Sequence, residues 1–203
     1  SSPGAAVIKH ANPCGAAIGE SAVEAYTLAR STDPTSAFGG IVGLNVPVDR
    51  ATAEEIASTF IEVVVAPDYD ADALELLADK ENLRLIRLGA PGDAYRDLPD
   101  YRFVSGGLLV QSRDFGADER WEVVSERPPT AEQERDLRFL WSVIPAVKSN
   151  AIVVGREGRL LGVGAGQMSR VDSCRFATWK ARQAGHELGG SAAASDAFFP
   201  FAD

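Results

Sequence analysis

A chain of 203 residues with 45% hydrophobic and 24% charged side chains can bury one large or two small cores, which excludes general disorder. Its 29 acidic against 20 basic residues leave a net charge of -9, which argues against nucleic-acid or membrane-surface binding, so any anionic ligand needs a local basic pocket. No apolar run reaches the ~18 residues of a membrane span, no export signal opens the chain, and Cys14 and Cys174 lack CxxC spacing, so a cytoplasmic protein without disulfides, zinc knuckle or membrane segment is expected.

Val7 and Ile8 read as the end of a buried strand, and Asn12-Pro13 and Gly15 punctuate the loop that follows. Lys9 and His10 then fall at the strand's carboxyl end, where open α/β sheets hold their ligands. Adjacent residues of a strand point to opposite faces, so these two can share one site only where the backbone leaves the sheet. Ser21 and Glu24 form a capping box, and Asp33-Pro34 ends the helix it opens. A loop through Ser36 to Gly40 delivers the chain into a strand from Ile41 to Val46, with Gly39 and Gly40 permitting close backbone approach to a ligand or another strand. Thr52 and Glu55 repeat the capping box for a helix to about Phe60, and Val63 to Val65 is a strand stopped by Pro67. A helix over 70–80 and a strand over 83–88 repeat the alternation.

Residues 89–100 read as a loop, strands are expected at 101–104 and 108–110, and 121–124 is a further apolar stretch before a boundary at Pro128-Pro129. Thr130 and Gln133 cap a helix with Leu137, Leu140, Trp141 and Ile144 as its buried stripe, finished by Pro145. Lys148, Ser149 and Asn150 precede a strand whose hairpin partner spans 159–163. The glycine run from Gly162 to Gly166 enters a helix capped by Ser169 and Asp172 and stopped by Gly185; its free N–H groups with Arg170 are expected to attract an anion. Its G-x-G-x-G spacing does not match a dinucleotide fingerprint. The aromatic end, Ser195 to Asp203, is expected to be buried or to line a pocket for a flat ring, and its abrupt stop reads as a piece of a longer polypeptide.

Four stretches in this order, Lys9 to Gly15, Asp33 to Gly40, Lys148 to Ala151, and Gly164 to Asp172 with Ser195 to Asp203, resemble the formyltransferase half of the bifunctional purine biosynthesis enzymes, AICAR transformylase/IMP cyclohydrolase. The compact segment between Arg182 and Ser195 resembles the bacterial form. The resemblance covers essentially the whole chain and implies an α/β fold of three-layer cytidine-deaminase-like subdomains, two per transformylase half. By it, residues 1–128 are the first subdomain, and 129–203 are a helical connection with the start of a second subdomain incomplete at its C-terminus. It also implies a homodimer with shared active sites.

The reaction so implied moves a formyl group from 10-formyltetrahydrofolate, a co-substrate, to the 5-amino group of AICAR ribonucleotide, with no metal required. By resemblance His10 is the proton acceptor and Lys9 the transition-state stabiliser. Asn150 corresponds to the asparagine that binds AICAR from the partner subunit, Arg170 to the arginine at the reduced folate, and Phe198 and Asp203 to late AICAR and folate contacts. Lys148, Asn12, Gly39 and Gly40 complete the expected binding set. Two other classes stand beside this one. A deaminase-type hydrolase fits Pro13-Cys14 but lacks the second cysteine and the H-x-E, having Ala17 and Ala11-Asn12 instead. A non-catalytic nucleotide- or folate-binding module would bind without turnover.

Overall fold

In a computed structural model that describes residues 2–89, 98–113 and 120–199, the alternating patterns become ten strands and six α-helices. Strands β1 (Gly4–Lys9) and β2 (Asn12–Ile18) form an antiparallel hairpin closed by His10 and Ala11. Its register shifts between Val7 and Ile8, so Cys14 is the extra residue of a bulge. The bulge is what admits Pro13, which has no N–H to give to a ladder, into a strand with neighbours on both sides.

Helix α1 (Ala22–Ser31) and the single turn α2 (Pro34–Ala37) lead into β3 (Gly40–Leu44). Next come α3 (Arg50–Ala57), β4 (Ile61–Ala66), α4 (Ala71–Ala78) and β5 (Arg84–Arg87), in which β3, β4 and β5 are parallel. A separate ribbon pairs β6 (Asp100–Val104) with β7 (Gly107–Gln111). Helix α5 (Ala131–Val143) ends in a 3-10 turn at Pro145, followed by β8 (Ile152–Arg156), β9 (Arg159–Gly164), α6 (Arg170–Gln183) and β10 (Ala192–Ser195). The main sheet is continuous and mixed, in the order β10-β8-β9-β2-β1-β3-β4-β5. Residues on either side of Pro128-Pro129 share it, because β9 lies beside β2.

Strand alternation sorts the side chains into two cores. Ala5, Val7, Val42 and Val64 point to one face, beneath Tyr26, Ile56 and Leu77 of α1, α3 and α4. Ala16, Val153 and Leu160 point to the other, where Leu140 and Ile144 cover them. Helix α6 returns to the first face, with Ala177 against Ile152 and Val154. Ser21 accepts from the Glu24 amide, while the Glu24 carboxylate reaches back to Glu20 N rather than to the cap residue itself. At α5 the capping box is reciprocal between Thr130 and Gln133.

Three expectations need correction. Helix α3 starts earlier than a Thr52 cap implies: Asp49 takes the cap and accepts from Thr52 N and Thr52 Oγ1, because a carboxylate outcompetes a hydroxyl as acceptor at a helix N-terminus. Asn12-Pro13 and Gly15 do not punctuate a loop: the turn is only His10 and Ala11, and Asn12–Ile18 is already β2. Of the two alternatives for the aromatic end, burial does not hold for Phe198 and Phe199, which are 80% and 57% exposed, since β10 has already ended at Ser195.

The helices lie very close to the sheet. A Cβ on Gly15 would sit 1.8 Å from Ala29 O, and one on Gly164 would sit 1.9 Å from Ser173 O. Gly15→Ala is therefore expected to destabilise the protein by about 1–3 kcal/mol or more, because α1 must lift off β2 to admit a methyl group. Urea unfolding checks this; an unchanged midpoint would show that the helix moves freely.

Candidate active site

The candidate residues come from distant parts of the chain but reach one edge of the sheet. That edge gathers the ends of β1, β9 and β10 and the starts of β2, β3, β4 and β8, because the sheet is mixed. Lys9, His10 and Asn12 are at the β1–β2 turn, Gly39 and Gly40 precede and open β3, Lys148 and Asn150 precede β8, Arg170 opens α6 and Phe198 follows β10. Asp203 lies outside the described residues. The site is thus built at a sheet edge with strands entering and leaving, not at a row of carboxyl ends.

His10 is exposed and adopts the left-handed conformation, with φ 56. A non-glycine residue there stores roughly 1–3 kcal/mol of backbone strain, which persists where the surroundings enforce it. Lys9 points inward from the same turn, and its Nζ donates to Phe38 O at 2.8 Å and Gly39 O at 2.9 Å. An ammonium has three donors, so one remains for a ligand. Asn12, opposite Lys9 in the ladder, accepts at Oδ1 from Lys148 N at 2.9 Å, which brings the segment before β8 against the hairpin of the same chain.

The polar groups of that segment are largely committed. Asn150 Nδ2 donates to Gln167 O and Met168 O, at 3.0 and 3.1 Å, and its Oδ1 accepts from Arg170 Nη2 at 2.9 Å. Arg170 Nη1 also donates to Ser195 Oγ and to Asp196 Oδ1, so among the described residues two of its five N–H donors have no partner. Asp196 additionally accepts from Ala151 N. Burial pushes the Asp196 carboxyl up, but hydrogen bonds from Ser149, Arg170 and Ala151 outweigh it and hold the group below the usual carboxylate range. At the start of α6, Asp196 thus pairs with Arg170, and Asp172 meets the Ser169 cap. Asp196 escaped sequence reasoning; its only signal was an acid one residue after the last strand.

The glycines divide by task. Gly162 and Gly164 serve packing under α6, where added Cβ atoms would strike Ala177 O and Ser173 O. Gly40 is buried against Ala37 O and Ile8 O. Gly39 alone faces a candidate side chain, with a Cβ position 3.1 Å from Lys9 Nζ.

Beside Lys9 lies a cleft of about 170 Å³, lined among others by Pro13, Cys14, Asp33, Ser36, Ala165 and Lys180. Asp33 pairs with Lys180 at 2.6 Å and accepts from both the amide and hydroxyl of Ser36. Burial alone pushes Asp33 up, yet Lys180 and Ser36 bring it below the ordinary range. A larger hollow of about 630 Å³ between residues 121–129 and α5 contains none of the candidate residues. Among the described residues no three His, Cys, Asp or Glu side chains gather as a metal site, and no helix is long and apolar enough to cross a membrane.

A mixed α/β chain with a Lys-His turn at such an edge belongs to a recognisable class. The family model of the AICARFT/IMPCHase bienzyme matches residues 1–180, and the chain belongs to that family. It is 53% identical to the bifunctional purine biosynthesis protein PurH of Magnetococcus marinus, across 100% of this chain and 40% of that protein. The PurH proteins of Polynucleobacter asymbioticus and Aquifex aeolicus are 52% and 50% identical, across 97% and 98% of this chain and 38% of each relative. The chain thus spans about two fifths of the length of these relatives.

Cys14 serves packing. Its Sγ donates to Val7 O at 3.4 Å, and burial, aided by the Asp33 charge, pushes its thiol up to about 11. At about pH 8, iodoacetamide should therefore label Cys14 on the order of 10²-fold more slowly than an ordinary thiol of pKa ~8.5, with the rate rising about tenfold per pH unit towards pH 10. Labelling at the ordinary rate would show an ionised, accessible thiol.

Proposed function

We propose that this chain carries AICAR formyltransferase chemistry: transfer of a formyl group to the 5-amino group of AICAR ribonucleotide in purine (IMP) biosynthesis, in a cytoplasmic protein that also bears IMP cyclohydrolase activity. Family membership supports the reaction class, and one observation carries the assignment of roles. Lys9 is fixed by two carbonyls with a single donor left over, immediately before a strained, exposed His10. Strain of that kind collects at functional sites.

The 5-amino group is a weak nucleophile, its lone pair drawn into the imidazole ring and towards the neighbouring carboxamide. Its nitrogen must bond to the formyl carbon while that carbon's bond to its donor nitrogen breaks, so a base and an oxyanion partner are required. His10 takes the proton that leaves the amine, and the free N–H of Lys9 meets the charge that develops on the formyl oxygen. The donor, 10-formyltetrahydrofolate, supplies the formyl group when bound. The residues fit such a ligand: Phe198 offers an uncovered ring for a flat heterocycle, and Arg170 retains two donors for an anionic group. Lys148 is an exposed cation at the same edge, where a net charge of -9 makes local basic groups necessary for an anionic nucleotide. Asn150 keeps one lone pair on Oδ1 and otherwise shapes the loop from Gln167 to Arg170. We read the fold as cytidine-deaminase-like subdomains, divided near residue 128.

His10→Ala is expected to lower turnover by about 10²–10⁴-fold with AICAR binding much less affected, since a positioned general base contributes on that order. Tetrahydrofolate release by the complete protein measures it, and unchanged turnover would remove His10 from the role.

We also read the sites as shared within a homodimer. Mixing His10→Ala with Asn150→Ala proteins, each inactive, should then restore part of the activity once subunits exchange, because one of the two sites in a mixed dimer is whole. No recovery after demonstrated exchange would place both residues in a site made by one chain.

A further inference from the structure

One residue of α6 is buried where its polarity serves nothing in the helix itself. Ser173 is 0% exposed in the first turn of α6, a place where alanine would suit both the helix and the burial better. Gly164 sets that depth, since a Cβ there would strike Ser173 O, so α6 lies directly against β9 at this point. The Ser173 hydroxyl is 2.7 Å from Asn150 O but 3.4 Å from Ser169 O, so it serves the distant carbonyl before the carbonyl of its own helix. Arg170, one turn earlier on the same face, donates to Asn150 Oδ1. Gln167 O accepts from Asn150 N and, with Met168 O, from Asn150 Nδ2. Every polar atom of Asn150 is thus bonded, and all its partners fall within residues 167–173.

We propose that Ser173 is a positioning residue, which fixes the main chain of Asn150 from beneath and, being fully buried, touches no substrate. The inference rests on the formyl-transfer reading, in which Asn150 binds AICAR. Losing the hydroxyl frees the Asn150 carbonyl and lets the residue shift against Arg170. Arg170 itself stays anchored, because Ser195 and Asp196 hold its other nitrogen. AICAR binding should therefore suffer, whereas reduced-folate binding, which the same reading gives to Arg170, should not.

Calorimetry and steady-state kinetics on the complete protein test it. Ser173→Ala should weaken AICAR binding about 3- to 10-fold, the loss expected for one hydrogen bond. The Kd for 10-formyltetrahydrofolate and the kcat should stay within about twofold of the parent. In an Asn150→Ala background the same change should alter the AICAR Kd less than about twofold, because the side chain it positions is gone. Equal losses in the two backgrounds, equal weakening of both ligands, or a lower kcat with both Kd values kept would overturn the proposal in favour of a general packing defect. If Ser173→Ala does not fold, as judged by thermal unfolding, Ser173→Cys keeps a weaker donor at the same place. Its AICAR Kd should rise by a smaller factor that vanishes without Asn150, and a rise that persists would overturn the proposal. Asn150→Ala that binds AICAR like the parent would overturn the role of Asn150 on which the inference rests. A weakened Asn150→Ala beside an unimpaired Ser173→Ala would overturn the positioning role alone.

Discussion

The carboxylate of Asp33 joins elements from both halves of the chain. It caps α2, accepts two bonds from Ser36 and pairs with Lys180 from the far half of the chain. Through α2 it sets where the Phe38–Gly39 carbonyls fall, and through Lys180 it holds α6 beside α1. Thr32, its neighbour, donates to Leu160 O at 2.8 Å while fully buried, and His186 Nε2 lies 2.8 Å from Ser31 O. Three consecutive residues, Ser31 to Asp33, thereby join the first half of the sheet's covering layer to the second. A partly buried ion pair of this kind does more to specify geometry than to add net stability, because desolvation offsets much of its attraction.

Local rules made much of the chain legible. The helix caps at Ser21, Thr130 and Ser169, the stop at Gly185 and the hairpin from β8 to β9 all depend on residues within a few positions of one another. The Lys9-His10 turn was legible for the same reason. Where sequence reading fell short, the deciding partner lay far away or competed nearby. Asp49 displaced Thr52 as a cap because both were available and the charge won. Gly162 and Gly164 looked like ligand-facing glycines, but α6, not a ligand, occupies the space they leave. The commitment of Asn150 and Arg170 to each other and to Asp196 spans 46 residues between Asn150 and Asp196, which no local pattern encodes.

A mixed sheet explains how so many candidate groups share one edge. In a wholly parallel sheet only strand ends would arrive there, and the starts of β2, β3 and β8 would be on the opposite side. Here the hairpins reverse the chain, so Lys9, Gly39, Lys148 and Phe198 converge on one edge. The β1–β2 turn is only two residues long, which suits groups that must hold fixed positions.

The seam between β2 and β9 has a mechanical consequence. Those two central strands share a single ladder pair, Ala17 with Arg159, supported by Ile18 N on Gly158 O, and towards Pro13 and Ala165 they diverge to open the cleft beside Lys9. An eight-stranded sheet is ordinarily stiff across its width, because shearing any two strands breaks a whole row of hydrogen bonds. This one has few backbone bonds along one line, so β2 and β9 are joined chiefly by side chains, with Ala16 in one core with Leu160 and Leu140 on one face and the Thr32–Leu160 and Asp33–Lys180 fastenings on the other.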